Sequence, residues 1–538
     1  MTAVAPAAAM RVPGRAVTGL AVRQVRRGAG LVIAVAAGMS ALVAATYRST
    51  MGSSSQVEAL AALAANPAIR TLFGEPAALD DPGGFTVWRT GTVVAVLVGT
   101  WGLLTATRLT RGEEDSGRWD LLLAGRLTLR TVIGRQLGVL ATFMVSTGAA
   151  ITVAMVFAGT GLTGAVLHGA GLTLLGLFFV GAGVTCAQIF ASRAAASGAA
   201  VALLGLGMVL RMAGDGIGAL AWLRWLSPFG LLELTRPYDT DRWTPLVVLA
   251  AAAAAALAAG WAAATGRDLR GGWLSPATGR APRMALLGSV QGFAVRRTVG
   301  PVAGWAAGIG AYFLIVGLVA VSLTEFLTEN PGFADLAAQA GFGGLGRVEG
   351  YAATLFALLA MPVGGFVTTR ITTVAADERD RRFALLLAGP VTRWRAGGAE
   401  VTAAVGGAVL LLVVAGLATW AGTGLAGADL SIGAALGGAV NVLPVALLSL
   451  GAAVVALGVA PRAVGWIGGV PTVGGFLLLV IADSTGAPGW VGALSPFAHL
   501  APVPAEGVSW AGTAVMAILA AVLCAAGLAA FARRDVQT

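Results

Sequence analysis

No lysine occurs anywhere in the 538 residues, and all 35 basic side chains are arginine. A P-loop needs a lysine after its glycines to reach the nucleotide phosphates. ATP hydrolysis of that kind therefore has to come from another subunit. Charge of either sign is scarce, at 11% of residues against about 25% in an average soluble domain, which excludes a water-soluble fold. Cysteine occurs twice, as Cys186 and Cys524 in separate apolar runs, so neither a disulfide framework nor a thiolate metal site is expected. Histidine also occurs twice, as His168 and His499. The two are far apart and have no His, Cys, Asp or Glu at ligand spacing, so the chain is expected to hold no metal and no cofactor.

What remains is apolar. Hydrophobic residues make up 57% of the chain and the mean hydropathy is +0.84. About 20 apolar residues cross a bilayer as a helix, and only helices or closed barrels satisfy their backbone groups in lipid. The long Ala/Leu/Val/Gly runs lack strand-like alternation, so they read as an all-α polytopic membrane protein with about twelve spans. The runs fall near 29–46, 90–107, 137–159, 168–190, 195–213 and 245–265, then near 299–323, 350–369, 401–424, 432–459, 463–482 and 508–531. The first run competes with a signal peptide, because small residues such as Ala44 and Ala45 follow it. A retained helix is preferred, since a matching run opens the second half.

Net charge is +10, and where the arginines fall matters more than their number. With the N-terminus placed inside, 27 of the 35 arginines fall in inside segments and 8 outside, while the acids divide 10 inside and 15 outside. That asymmetry is the positive-inside signature. Basicity is thus a topology signal for a multi-pass plasma-membrane protein with both termini cytoplasmic, and no nucleic-acid partner is expected.

A segment repeats. Residues 113–125, Glu-Glu-Asp-Ser-Gly-Arg-Trp-Asp-Leu-Leu-Leu-Ala-Gly, return at an offset of 264 as 377–389, Asp-Glu-Arg-Asp-Arg-Arg-Phe-Ala-Leu-Leu-Leu-Ala-Gly. Leu226-Ser227-Pro228-Phe229-Gly230 returns as Leu494-Ser495-Pro496-Phe497-Ala498 at an offset of 268. Two matches at nearly one offset indicate an internal duplication. Six spans separate the copies, so the repeat is parallel. The expected division is a first half at 1–266, a cytoplasmic linker at 267–283 rich in turn formers, and a second half at 284–538. Each half opens with an amphipathic stretch suited to a helix in the headgroup plane. Val17, Leu20, Ala21 and Val25 share one face in the first, and Leu286, Val290 and Phe293 precede Arg296 and Arg297 in the second.

The repeated segment begins with acids and ends in Leu-Leu-Leu-Ala-Gly. It is too polar to span and too apolar to hang in water. Acids near a helix start suit the dipole, and the leucines after them would give a short helix a face on which a soluble partner could push.

Loops of the form Glu-Glu-x-x-Gly-x-x-x-Leu-Leu-x-x-Pro between the second and third spans of a six-span unit resemble those of ABC-2-type exporter permeases. In that family the loop forms the helix that contacts a separate ATPase subunit. Glu113, Glu114, Gly117, Leu121 and Leu122 match in the first half. Glu378, Leu385, Leu386 and Pro390 match in the second, where Asp377 replaces the first Glu and Arg381 the Gly; in the first half Arg126 stands at the Pro position. The fused halves in an Arg-, Ala- and Gly-rich chain look like actinobacterial exporters of polyketide antibiotics, the tetronasin-type transporters. The resemblance implies a permease that is not itself an enzyme, two copies of an ABC ATPase carrying ATP and Mg, and a hydrophobic or amphipathic cargo moved out of the cell along a route between the halves. Pro362, Gly364, Gly365, Pro444, Pro471, Gly474 and Gly475 are candidate flexing points.

Two other classes compete. An ion-coupled secondary transporter normally carries ionisable groups within the membrane, and the span cores read here as free of Asp, Glu and Arg. A lipid-linked glycosyltransferase would use acids such as Asp80 and Asp81, but Pro82-Gly83-Gly84 behind them reads as a turn. The topology predicts that, after replacement of Cys186 and Cys524, a single cysteine at position 115 reacts with membrane-impermeant maleimide only in opened cells. Labelling of that position in intact cells would overturn the arrangement.

Overall fold

A computed structural model describes residues 13–50, 54–64, 66–264, 271–274, 284–329, 347–379, 381–382, 387–485 and 487–534. The chain divides into two compact units, Met1–Arg280 and Ala281–Thr538. The architecture is helical throughout, and the described residues contain no strand beyond one isolated bridge, Phe190 to Leu274.

Twelve helices among the described residues are long and apolar enough to cross a membrane, six in each unit. In the first unit they are span 1 (Gly14–Tyr47), span 2 (Pro82–Asp115), span 3 (Leu129–Phe157), span 4 (Leu162–Ile189), span 5 (Arg193–Gly216) and span 6 (Thr244–Ala262). In the second they are span 7 (Val290–Glu329), span 8 (Val348–Arg379), span 9 (Arg393–Leu425), span 10 (Ile432–Val459), span 11 (Pro461–Leu479) and span 12 (Trp510–Arg533).

Several helices run past the apolar runs that mark them. The amphipathic stretch before span 1 is not a separate in-plane helix. It is the start of one 38-residue helix, Pro13–Thr50, about 57 Å long at about 1.5 Å per residue against a hydrocarbon core of about 30 Å. Val17, Ala21 and Val25 are buried along it, so their stripe packs against the unit. In the second unit the helix begins only at Val290, after Leu286, which is exposed and has a positive φ of 66°. Helices Ser54–Ala64 and Pro67–Phe73 lie between spans 1 and 2. A 3-10 segment, Gly218–Leu226, and a short helix, Pro228–Leu234, follow span 5.

Helices in lipid gain nothing from burying leucine that lipid does not also offer, so close backbone approach carries much of the packing. Between spans 3 and 4, a Cβ on Gly148 would lie 2.3 Å from the Gly169 carbonyl. Between spans 7 and 9, a Cβ on Gly422 would lie 2.4 Å from the Leu314 carbonyl. Around these contacts Leu140, Met144, Leu172, Leu175 and Phe179 fill the first unit's core. Of the proposed flexing points, Pro471 and Gly474 lie in a π-helical turn, Val470–Gly474, and Pro444 stands where span 10 breaks at Val442. Pro362 is accommodated inside the continuous helix Val348–Arg379.

The two Ser-Pro-Phe motifs adopt one geometry. Ser227 Oγ donates to the Gly207 carbonyl at 2.6 Å and accepts from the amides of Phe229 and Gly230, each at 3.2 Å. Ser495 Oγ donates to the Gly475 carbonyl at 2.8 Å and accepts from the Phe497 amide at 3.2 Å. Gly207 and Gly475 are themselves 268 residues apart. Each serine caps a helical turn and ties it to the preceding span. Ser227→Ala and Ser495→Ala should each lower stability by about 1–2 kcal/mol, read as a fall in the melting temperature of detergent-purified protein. A mutant of either serine that melts like the wild type would refute this role.

Candidate functional site

The acids of the first repeated segment stand at a helix end, not at a helix start. Span 2 continues through a π-helical turn, Arg108–Gly112, into Glu113–Asp115. The π turn frees the Leu109 carbonyl, and Gln136 Nε2 of span 3 donates to it at 2.8 Å. Gly117 then takes the left-handed conformation, φ 72°, and a six-residue helix follows, Arg118–Leu123.

A helix C-terminus carries partial negative charge, so carboxylates there need cations. Glu113 accepts from Arg118 Nε at 2.7 Å and Nη2 at 2.8 Å, and from Gln24 Nε2 of span 1 at 3.3 Å. Glu114 lies 3.2 Å from Arg111 Nη1, with both side chains removed from solvent. Arg111 also donates to the carbonyls of Ala187 at 2.9 Å and Gly271 at 3.0 Å. Asp115 accepts from the Arg193 amide at 2.8 Å, at the head of span 5. These acids therefore fasten the end of span 2 to its neighbours; Glu113 and Glu114 are buried and offer little surface to a partner, while Asp115 is exposed. What the short helix does offer is Leu121, which is 81% exposed. Trp119 beside it is fully buried, while Leu122 and Leu123 pack on the core.

The second copy is held by a related arrangement. Asp377 pairs with Arg297 of span 7, which also reaches Glu400 at 3.0 Å. Glu400 in turn pairs with Arg370 at 3.1 Å. Glu378 pairs with Arg534, just beyond span 12. Arg381, in the position of Gly117, takes the same left-handed backbone, φ 59°, so the turn survives the loss of glycine. Leu385 and Leu386 lie outside the described residues, and Pro390 is exposed ahead of the Thr392 cap of span 9.

The other end of the first unit corrects the expectation of uncharged spans. Arg211 and Asp215 of span 5 are both buried. Arg211 Nε lies 2.9 Å from Asp215 and 2.9 Å from Glu233, and its Nη1 donates to Thr92 at 2.9 Å. Outside the spans, Glu75 accepts from Arg224 at 2.5 Å and lies near Arg70 and Arg236. Burial pushes the Glu75 carboxyl up, but the Arg224 hydrogen bond and the charges of Arg224, Arg70 and Arg236 win and hold it below the usual glutamate range. Its stabilisation is therefore present above the ordinary glutamate pKa and is lost as pH falls through the lowered value.

A cavity of about 60 Å³ opens beside this cluster, between Phe73, Trp88, Thr92, Arg211 and Glu233. His168 also lines it, buried and with neither ring nitrogen hydrogen-bonded. The Arg211 and Asp215 spacing of four residues was the signal available in the sequence, because i, i+4 side chains share a helix face. Nearby, Tyr238 bonds Thr160 at 3.0 Å, and burial lifts its hydroxyl to a pKa of about 12.

The chain matches a family model described as multidrug efflux system permease Rv1217c, C-terminal domain, over residues 15–264 and 287–532. It is 30% identical over 502 residues to the multidrug efflux system permease protein Rv1217c of Mycobacterium tuberculosis, an alignment covering 90% of this chain and 88% of that protein.

Removing one member of the buried Arg111–Glu114 pair takes away the opposite charge that faces the other. Glu114→Gln should cost about 3–5 kcal/mol, and Arg111→Met with Glu114→Leu should regain more than half of the loss. Thermal melting followed by tryptophan fluorescence measures both. Wild-type melting of Glu114→Gln would remove the pair from the account.

Proposed function

This chain belongs to the multidrug efflux permease family represented by Rv1217c, and from that premise we propose that it is the membrane subunit of an ATP-binding-cassette exporter. A drug-exporting, multi-pass membrane permease that works with other transporter subunits is what the family supports directly. The finer reading is that two copies of an ABC ATPase, each with ATP and Mg, dock on the arginine-rich end and drive export of a hydrophobic or amphipathic compound such as a polyketide antibiotic.

The observation that carries this reading is the short helix Arg118–Leu123. A buried Trp119 holds it at the end of span 2, while Leu121 is left exposed beside it, so the helix is fixed on one side and presents an apolar contact on the other. Leu385 is its equivalent at the 264-residue offset. The pairing of Glu113 with Arg118 and Gln24 ties the short helix Arg118–Leu123 to spans 1 and 2, so that a push on it would reach them. The ABC-2 fold and the internal duplication belong to the same proposal. They draw support from the repeated segment, the matching geometry of the two serine caps, and the two matched segments of the family model.

A secondary transporter driven by protons is the second reading, favoured by the buried Arg211, Asp215 and His168 and by the half-buried Glu233 beside them. The two readings separate in proteoliposomes. Transport that needs the ATPase and ATP supports the first, and transport driven by a pH gradient through the purified chain alone supports the second.

If this chain carries both docking helices, one copy should bind two ATPase copies. Native mass spectrometry of the solubilised complex should give one permease to two ATPases. Leu121→Ser should weaken ATPase co-purification about tenfold, the size of effect expected of one well-buried apolar contact, without lowering the permease melting temperature. A two-to-two complex with both permease copies needed for export would sink the fused-half reading.

A further inference from the structure

Spans 1, 3 and 6 of the first unit leave a groove of about 870 Å³ at their arginine-rich end, within the range of about 300–1,000 Å³ typical of small-molecule sites. Arg130 and Arg135, in the first turns of span 3, reach into it, and Trp261 of span 6 closes one side. Val22, Val139 and Phe143 line the part that leads toward the middle of the spans. Among the described residues no acid lines the groove. Neither Arg130 nor Arg135 has an ion-pair partner among the described residues, whereas Arg111, Arg118, Arg211, Arg224, Arg297 and Arg370 each have one. Arg130 instead lies over the Trp261 ring, 4.7 Å from its centroid.

We infer that this groove binds one anionic phospholipid, its phosphodiester held by Arg130 and Arg135 and its acyl chains laid along Val139 and Phe143. Guanidinium groups match phosphate oxygens in charge and in fork geometry. Tryptophan favours the headgroup level of a bilayer, and basic pockets between membrane helices are suited to acidic lipid headgroups. The groove also contains its own space for the ligand. Gly134 and Gly138 form part of its wall, and a Cβ at Gly138 would meet nothing within 4 Å.

The second unit does not repeat these residues. At the 264-residue offset Trp394 stands for Arg130, Ala399 for Arg135 and Thr402 for Gly138. There Thr402 is occupied by Gln291 of span 7, with contacts of 2.7 Å and 3.0 Å. One such lipid site per chain is therefore expected.

The full chain, purified in detergent and delipidated, would be titrated with dioleoyl phosphatidylglycerol, dioleoyl phosphatidylcholine or inorganic phosphate and read by native mass spectrometry. One phosphatidylglycerol should stay bound under activation that strips the others. Phosphatidylcholine should not be retained, and inorganic phosphate should not displace the bound lipid. Arg130→Gln with Arg135→Gln should weaken retention about fivefold or more. Gly138→Leu, which fills the groove while leaving both arginines in the sequence, should do the same. Equal retention of the two lipids, displacement by inorganic phosphate, or full retention by both variants would overturn the site.

Discussion

A charge that leaves water must meet its opposite or a hydrogen-bonding dipole, and this requirement organises the ends of the spans. Desolvating a carboxylate or guanidinium costs several kcal/mol even after relaxation. Each buried ion here answers that cost locally. Arg111 meets Glu114 and two backbone carbonyls, Arg370 and Arg297 share Glu400, and Arg211 serves both Asp215 and Glu233. Because every cation in these clusters is arginine, with five donors in a planar fork, one side chain can bind an acid and carbonyls on another helix together.

The twelve spans were legible because hydropathy belongs to local composition, and a run of apolar residues has few other fates. Where each helix stops was much less legible. Span 2 runs on through Arg108 and Arg111 because backbone carbonyls accept from them, and those carbonyls lie far away in sequence, at Gln24, Ala187 and Gly271. Polar residues therefore looked like loop. The same error concealed Arg211 and Asp215, whose partner Glu233 follows a change of chain direction. Glu113 and Glu114 were singled out for a contact surface; in the structure both are buried and paired, and Leu121 is the member of that group left facing outward.

The serine motifs were legible in a different way. Their sequences differ by a single residue, Gly230 against Ala498, and both copies keep the hydroxyl between a glycine carbonyl and the next turn's amides. The donor list is shorter in the second copy, where Ser495 receives one amide and Ser227 two. Function can then be divided unequally between the units while their frames stay alike. At the 268-residue offset Leu479 replaces Arg211 and Ala501 replaces Glu233, while an acid, Asp483, stands at the position of Asp215.

The π turn at Arg108–Gly112 also speaks to descent. Such a turn holds one residue more than a regular helix would need there. Losing that residue would restore a regular helix and swing everything beyond it by about 100° around the axis. Glu113 would then turn away from Gln24, and Glu114 from Arg111. A one-residue deletion here is therefore more disruptive than most substitutions in the same turn, and alignments that place gaps freely across 108–112 will misassign which acid of a relative corresponds to which.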